Sequence, residues 1–122
     1  MAKAVSTDTL DGALNVIKNN VVKMTLCTTQ PATYADANTT LKLAEYTMAT
    51  GDFTLAAGDT NGRKVTVAAK TGAVASASGS AAHVALLDGT RLLLVTTVTS
   101  QTVTSGNTVN IGTWKYEINN PV

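Results

Sequence analysis

The chain has 122 residues, a formal net charge of +1 and a single cysteine, so its size fits one domain and no disulfide can form within it. Charged residues make up 14% of the chain, whereas soluble domains average about 25%. The lysines and arginines are scattered singly, which argues against a nucleic-acid partner, and no apolar run approaches the roughly 20 residues of a membrane span.

The first predicted element is a short helix over Thr7–Lys18. Apolar residues recur there at helical spacing, behind three residues that could cap the helix, Ser6, Thr7 and Asp8. Asn19 and Asn20 are expected to end it. Because the N-terminus lacks the apolar core of a signal peptide, we expect synthesis in the cytosol. The predicted organisation is a single domain, with an N-terminal arm and short helix over residues 1–20 and a β-sandwich or barrel over residues 21–122.

Beyond the helix the apolar period changes to that of strands. Val22, Met24 and Leu26 alternate with polar or small residues, which predicts a first strand with one apolar face. The segment Thr28–Thr40 has no period and is predicted to be a loop.

The next strand carries a change of phase. Leu41 and Leu43 share one face, whereas Tyr46 and Met48 fall on the opposite parity. The strand is either buried on both sides or bent near Ala44-Glu45, and we favour the bend.

A hairpin is predicted at Asn61-Gly62. This pair lies between the alternating residues of Phe53–Ala57 and Val65–Val67, and Asn and Gly tolerate the positive φ of a type I′ turn. The following Thr71–Ala82 is nearly all Gly, Ala, Ser and Thr. It fits either an exposed loop or a strand packed very closely against another backbone.

The last third supplies more strands. In His83–Leu87, Val84 and Leu86 alternate with their neighbours as in a strand, and Asp88-Gly89 makes a turn. Leu92–Val95 has apolar residues at both odd and even positions, which predicts a central strand covered on both faces. Further on, Val109 and Ile111 lie on one parity and Trp114, Tyr116 and Ile118 on the other. We expect a β-bulge at Gly112-Thr113 to absorb this change.

Seven or eight short strands and no helix long enough for a βαβ crossover predict a mainly β fold. The expected architecture is an antiparallel β-sandwich or small barrel with a short N-terminal helix.

Little in the sequence could perform catalysis. Cys27 is interpreted as a small buried residue and His83, the only histidine, as a strand residue bonded to a neighbouring hydroxyl. Six of the eight acidic residues are aspartates at predicted turns or helix starts, where they bond the backbone. We therefore predict no enzyme activity, no catalytic residues, no cofactor and no metal site.

Trp114 and Tyr116 share one strand face and allow two interpretations. They could form a platform on which a sugar ring stacks, or they could belong to the core. Because aromatic residues are only 4% of the chain, the core interpretation is favoured.

Several segments of the C-terminal half resemble a group of small structural proteins of tailed bacteriophages. The similar segments are Ser78–Gly89, Leu93–Thr96, Gln101–Val109 and Trp114–Pro121, and Pro31–Ala35 and the entry helix are similar in order. The resemblance implies a β-rich module of the virion, made in the host cytoplasm, whose partners are the major capsid protein and copies of itself in a homo-oligomer.

From this resemblance and the low charge we expect a head decoration or cement protein, with Ala2–Asn20 as a candidate docking element. The alternative is a receptor- or glycan-binding module at a tail tip or fibre, with Trp114 and Tyr116 as the candidate residues.

Overall fold

A computed structural model describes residues 4–121, which contain one α-helix and nine strands. The helix α1 spans Thr7–Asn20, and shorter helical segments follow at Asp36–Thr40 (π-helical) and Thr50–Asp52 (3-10). The strands are β1 (Lys23–Cys27), β2 (Lys42–Thr47), β3 (Phe53–Ala57), β4 (Arg63–Val67), β5 (Lys70–Val74), β6 (Gly79–Leu87), β7 (Leu92–Val103), β8 (Thr108–Ile111) and β9 (Trp114–Ile118).

The strands form three antiparallel sheets, which confirms the mainly β prediction. Sheet A has the order β2-β1-β6-β7, sheet B the order β3-β4-β9, and sheet C consists of β5 and β8. All three sheets are open at their edges among residues 4–121, so the sandwich-like alternative is realised and the small barrel is not.

One buried core joins the three sheets and the helix. Tyr46 of sheet A donates its hydroxyl proton to the carbonyl oxygen of Val109 in sheet C and so links the two sheets. The buried residues of this core are Leu14, Ile17, Val21, Met24, Leu26, Leu43, Ala44, Tyr46, Met48, Phe53, Val65, Val67, Ala75, Ala81, Val84, Leu86, Val103, Val109 and Ile111.

Helix α1 agrees with the prediction and extends it by two residues. Ser6 caps its first turn, with Oγ accepting a hydrogen bond from the backbone N–H of Thr9 at 3.2 Å. Asn19 and Asn20 lie inside the helix and do not end it; the extended residue Val21 does.

The helix is also part of the domain core. Leu10, Leu14 and Ile17 are buried, and Leu14 and Ile17 pack in the same cluster as the strands. The helix of residues 1–20 and the strands of residues 21–122 therefore share one core. Residues 2 and 3 of the candidate docking element lie outside the described residues.

Strand β1 is covered on both faces, contrary to the one-faced prediction. Thr25 and Cys27 are as fully buried as Met24 and Leu26, while Val22 lies before the strand and is 51% exposed. The second cover comes from the segment that was predicted to be a loop. Its helical part at Asp36–Thr40 lies on the outer face of sheet A, where Ala37 packs with Cys27, Ala85 and Leu87.

Strand β2 bends as predicted, at a slightly earlier residue. Leu26 pairs with Ala44 and Cys27 with Lys42, so Leu43 is the extra residue of a bulge. The bulge puts Ala44, Tyr46 and Met48 in the core together with Leu43. This explains why apolar residues at odd and at even positions of the strand can all be buried.

The β3–β4 hairpin is confirmed, but its turn is not type I′. Phe53 pairs with Val67 and Ala57 with Arg63, which leaves a five-residue loop over Gly58–Gly62. Within the described residues only glycines have positive φ, so Asn61 does not adopt the conformation that a type I′ turn requires, although Gly62 has φ 68°.

The segment Thr71–Ala82 fits neither of its two predicted forms as a whole. Most of its first part belongs to the exposed strand β5, and its last part begins β6. Close packing holds at some of its positions: Ala75 and Ala81 are buried in the main core, and an added Cβ at Gly79 would lie 3.0 Å from Cγ2 of Thr28.

Strand β7 lies at an edge of sheet A, so the prediction of a central strand at Leu92–Val95 is wrong. The central strands are β1 and β6, and Val84–Leu87 of β6 is buried on both faces. Leu92–Val95 does contact apolar groups on both faces, Leu93 and Leu94 in the main core and Leu92 and Val95 in the outer cluster, and all four remain half-buried.

The predicted bulge at Gly112-Thr113 is also wrong. Val109 and Ile111 belong to β8 in sheet C, whereas Trp114 and Ile118 belong to β9 in sheet B. The change of parity arises because the chain crosses from one sheet to another at these two residues.

Candidate functional site

The thiol of Cys27 is buried and points into the outer cluster of sheet A. Its side chain is fully shielded from solvent, and Sγ lies 3.6 Å from Oγ1 of Thr25. Burial raises the pKa of the thiol above its ordinary value. The interpretation of Cys27 as a buried small residue is confirmed, and a thiol in this environment is protonated at neutral pH.

His83 lies directly opposite Cys27 on the neighbouring strand β6 and opposite Thr97 on β7. Its Nδ1 atom is buried and has no hydrogen-bond partner among residues 4–121. The expected bond to a neighbouring hydroxyl is therefore not formed at this nitrogen. The pairing of β1 with β6 thus places the only histidine opposite the only cysteine. No hydrogen bond joins the two side chains among residues 4–121.

Asp52 and Asp88 have the backbone role that was predicted for aspartates at turns, whereas the carboxylate of Asp59 binds the side chains of Lys64 and Lys115 instead. Asp52 accepts a hydrogen bond from the N–H of Ala49 at 2.8 Å, and Asp88 accepts from Thr90 and Arg91 at 2.8 and 2.6 Å. These backbone donors are the main reason that the pKa of Asp88 falls to about 2. Within residues 4–121 no group of three or more His, Cys, Asp or Glu side chains is placed to hold a metal ion.

A cleft of about 530 Å³ lies between β7 and the crossover from β8 to β9. Its volume falls within the range of small-molecule sites, roughly 300–1,000 Å³. None of its lining residues is charged. They are Leu26, Thr97, Val98, Thr99, Ser100, Gln101, Asn110, Ile111, Gly112, Thr113 and Trp114.

The wall that β7 contributes to the cleft is shaped by a large irregularity in the strand. Ala81 pairs with Gln101 and His83 with Thr97, so three residues of β7 lie opposite the single residue Ala82. Ser100 is held there by a 2.9 Å hydrogen bond to Ser80. Such a bulge re-aims side chains, and here it brings Thr99 and Ser100 into the lining.

Trp114 and Tyr116 lie on the same face of β9, opposite Val67 and Val65, but only Trp114 lines the cleft. Trp114 lines the cleft, is half-buried and packs against the main core, and its Nε1 is buried without an acceptor among the described residues. Tyr116 is 37% exposed and does not line the cleft. Trp114 therefore has features of both interpretations, core residue and ligand platform. Part of its side chain packs on the core, and part faces the cleft.

The edge of β7 is a second candidate surface. Among residues 4–121, no backbone group of Leu92–Val103 bonds outside its pairing with β6. By contrast, Ser76 bonds Leu43 at the edge of β2, and Lys18 bonds the carbonyl of Phe53 at the edge of β3. Strand β7 contains no charged residue and no proline, two of the features that usually prevent edges from pairing with other chains, and the large bulge, a third such feature, is confined to Val98–Ser100.

Sequence analysis had indicated Trp114 but not the residues around it. The Thr- and Ser-rich composition of β7 was the available signal, but the bulge that turns these hydroxyls toward Trp114 depends on pairing with β6.

No protein-family model matches the chain, and the searches of curated proteins and of solved structures found no significant match. Among the residues that the structure describes, no helix has both the length and the apolar character needed to cross a membrane.

Proposed function

We propose that this chain is a non-enzymatic structural protein of a tailed-bacteriophage virion, a head decoration subunit that binds the major capsid protein and copies of itself. The observation that carries the proposal is the uncharged free edge of β7. The part of this edge before the bulge, Leu92–Thr97, can add a strand from a neighbouring subunit, with main-chain hydrogen bonds supplying the affinity.

The composition of β7 supports a contact between subunits. Leu92–Val95 has the apolar pattern of a central strand although it is half-buried at an edge, and a strand from a neighbour would make it central. The exposed Arg91 just before the strand is paired with Asp88, with Nε and Oδ2 2.5 Å apart, so two copies can approach without facing an unpaired like charge.

The helix offers a narrower docking surface than the whole Ala2–Asn20 segment. Because its apolar face is in the core, only its outer face is free for a capsid, and this face includes Thr9, Ala13 and Val16, the last 42% exposed. Deleting the segment would remove core residues, so docking must be tested with single exposed substitutions. We propose Val16→Glu for this purpose.

Purification of phage particles tests the proposal. The particles are isolated on a density gradient from lysates of cells that carry this coding sequence. We expect mass spectrometry to find the chain in the particle fraction, and electron microscopy to place its density on the head. Recovery of the chain only among unassembled proteins would overturn the virion assignment. Density confined to the tail would overturn the decoration role.

Matched lysine substitutions test the role of β7. Thr97 on β7 and Thr47 on β2 are both exposed and lie at opposite edges of sheet A. We expect Thr97→Lys to lower the occupancy on particles that lack the wild-type protein and Thr47→Lys to leave it unchanged, because a lysine at an edge opposes strand addition. Equal occupancy for the two variants would rule out the edge of β7 as the contact.

A further inference from the structure

We propose that the cleft between β7 and the β8–β9 crossover binds an uncharged saccharide. This inference does not rest on the virion role, since the cleft is a property of the single chain.

The lining of the cleft defines the class of ligand by its lack of charge. No Lys, Arg, His, Asp or Glu side chain contributes to it, so the cleft has no side-chain charge to hold a phosphate, a carboxylate or a cation. Hydroxyl and amide groups are abundant instead, supplied by Thr97, Thr99, Ser100, Gln101 and Asn110. These groups both donate and accept hydrogen bonds, as the hydroxyls of a sugar do.

Trp114 supplies the apolar part of the site. It lies at the start of β9, opposite Val67 of β4, and its contacts with the core hold the indole in place. A saccharide combines apolar C–H faces with polar edges, so it can lie against an aromatic side chain while its hydroxyls bond the surrounding groups. A purely apolar ligand would leave the hydroxyls and amides of the lining without partners.

The structure also favours a preformed site. Ser100 is held by Ser80, and Oδ1 of Asn110 accepts a hydrogen bond from the N–H of Gly72 at 3.2 Å, which leaves the amide nitrogen of Asn110 free to donate. Fixed polar groups lose less conformational entropy when a ligand binds.

Two assays with the whole protein test the proposal. The wild-type protein is applied to an array that carries neutral and charged glycans, and saturation-transfer NMR is recorded with neutral mono- and disaccharides in solution. We expect binding to neutral glycans. Signals from both assays would indicate recognition of single sugar units, and signals from the array alone would indicate recognition of a longer polymer; either result supports the site.

Variants then locate the binding. We expect Trp114→Ala to lower the affinity by about tenfold, and Gln101→Ala by about threefold to tenfold. Gln101 is exposed, so its variant keeps the test valid if Trp114→Ala fails to fold. Tyr116→Ala is the matched control, because Tyr116 is an exposed aromatic residue of the same strand outside the cleft, and we expect no change.

Three results would overturn the proposal. They are the absence of binding in both assays, binding restricted to charged glycans, and binding that survives Trp114→Ala and Gln101→Ala in folded protein. None of these results bears on whether the chain is found in purified virions.

Discussion

Asp59 connects the loop of the β3–β4 hairpin to the outer face of sheet B. Its carboxylate binds Lys115 of β9 and Lys64 of β4, the latter at 2.6 Å, and its backbone N–H donates to Glu117. Hydrogen bonds from Lys115 and Lys64 lower the pKa of Asp59 to about 2. The pKa of Asp59 thus reports whether the hairpin loop is in contact with the two lysines of sheet B.

The Asp59 contacts predict a specific dependence on pH. Because the pKa is lower in the folded than in the unfolded state, the contacts stabilise the fold above about pH 4, and this stabilisation is lost as the pH falls toward 2. We expect Asp59→Asn to lower the Tm at neutral pH and to match the wild type near pH 2. In an NMR titration, Lys115→Ala should raise the pKa of Asp59. An unchanged pKa in that variant would contradict the assignment.

Trp114 carries a local cost in its buried, unpartnered indole N–H. An unsatisfied buried donor costs about 1–3 kcal/mol, which offsets part of what the ring gains by packing. We expect Trp114→Phe to keep the free energy of unfolding within about 1 kcal/mol of the wild type, and Trp114→Ala to lower it by about 2–4 kcal/mol. Urea denaturation measures both values. Wild-type stability in Trp114→Ala would refute the contact of the ring with the core.

At the scale of the elements, glycine is needed at one position of the hairpin loop and is unfavourable at one position of the helix. Gly62 has φ 68°, and an added Cβ there would lie 2.9 Å from Cα of Asn119 and closer to the carbonyl oxygen of Ile118. Gly12 is inside α1 with nothing within 4 Å of an added Cβ. The loop thus requires glycine at position 62, whereas glycine at position 12 only destabilises the helix.

Alanine at these two glycines should therefore shift stability in opposite directions. We expect Gly12→Ala to raise the free energy of unfolding by about 0.5–1 kcal/mol, because alanine favours the helix and restricts the unfolded chain. Gly62→Ala should lower it by more than about 1 kcal/mol, since positive φ and the contact with β9 both oppose a side chain. Thermal unfolding followed by circular dichroism compares them. Shifts in the same direction would contradict this account of the loop.

Helix α1 provides a second prediction at this scale. Leu14 is fully buried in the core shared with the strands, whereas Val16 is on the exposed face. We expect Leu14→Ala to lower the free energy of unfolding by about 2–5 kcal/mol, and Val16→Ala to change it by less than about 0.5 kcal/mol. Chemical denaturation gives both numbers. Equal small effects would mean that the helix is an arm that does not contribute to the core.

At the scale of the whole molecule, the two candidate surfaces lie along one strand. The free edge of β7 runs from Leu92 to Thr97, and the wall of the cleft runs from Thr97 to Gln101, so Thr97 is the one residue at which the two surfaces meet. A subunit contact and a saccharide site can therefore coexist on the same domain.

Self-association follows from the free edge. Two copies that pair their β7 strands antiparallel about a two-fold axis would form one continuous sheet from two sheets A. Sedimentation equilibrium should detect a concentration-dependent dimer for the wild-type protein and for Thr47→Lys, and a weaker one for Thr97→Lys. A monomer at all concentrations, or equal association of all three proteins, would show that this edge does not pair with itself.

Much of the local structure was predictable because it depends on neighbours in sequence. The capped helix with its start at Thr7, the β3–β4 hairpin and the bend of β2 all follow from residue type and spacing, whereas the last two residues of the helix were not predicted. The candidate site was predictable only through Trp114, since its opposite wall comes from a strand bulge with no signature in the sequence.

The sequence alone determined a small, weakly charged, antiparallel β domain with one helix, because composition and period are local properties. The tertiary structure decided which strands are central, that Trp114 and not Tyr116 lines a cleft, and where the cleft opens. Leu92–Val95 has apolar residues on both faces, and so does Val84–Leu87, yet only the second is flanked by strands on both sides. Strand order depends on pairing between residues far apart in the chain, which the period of a single strand does not encode.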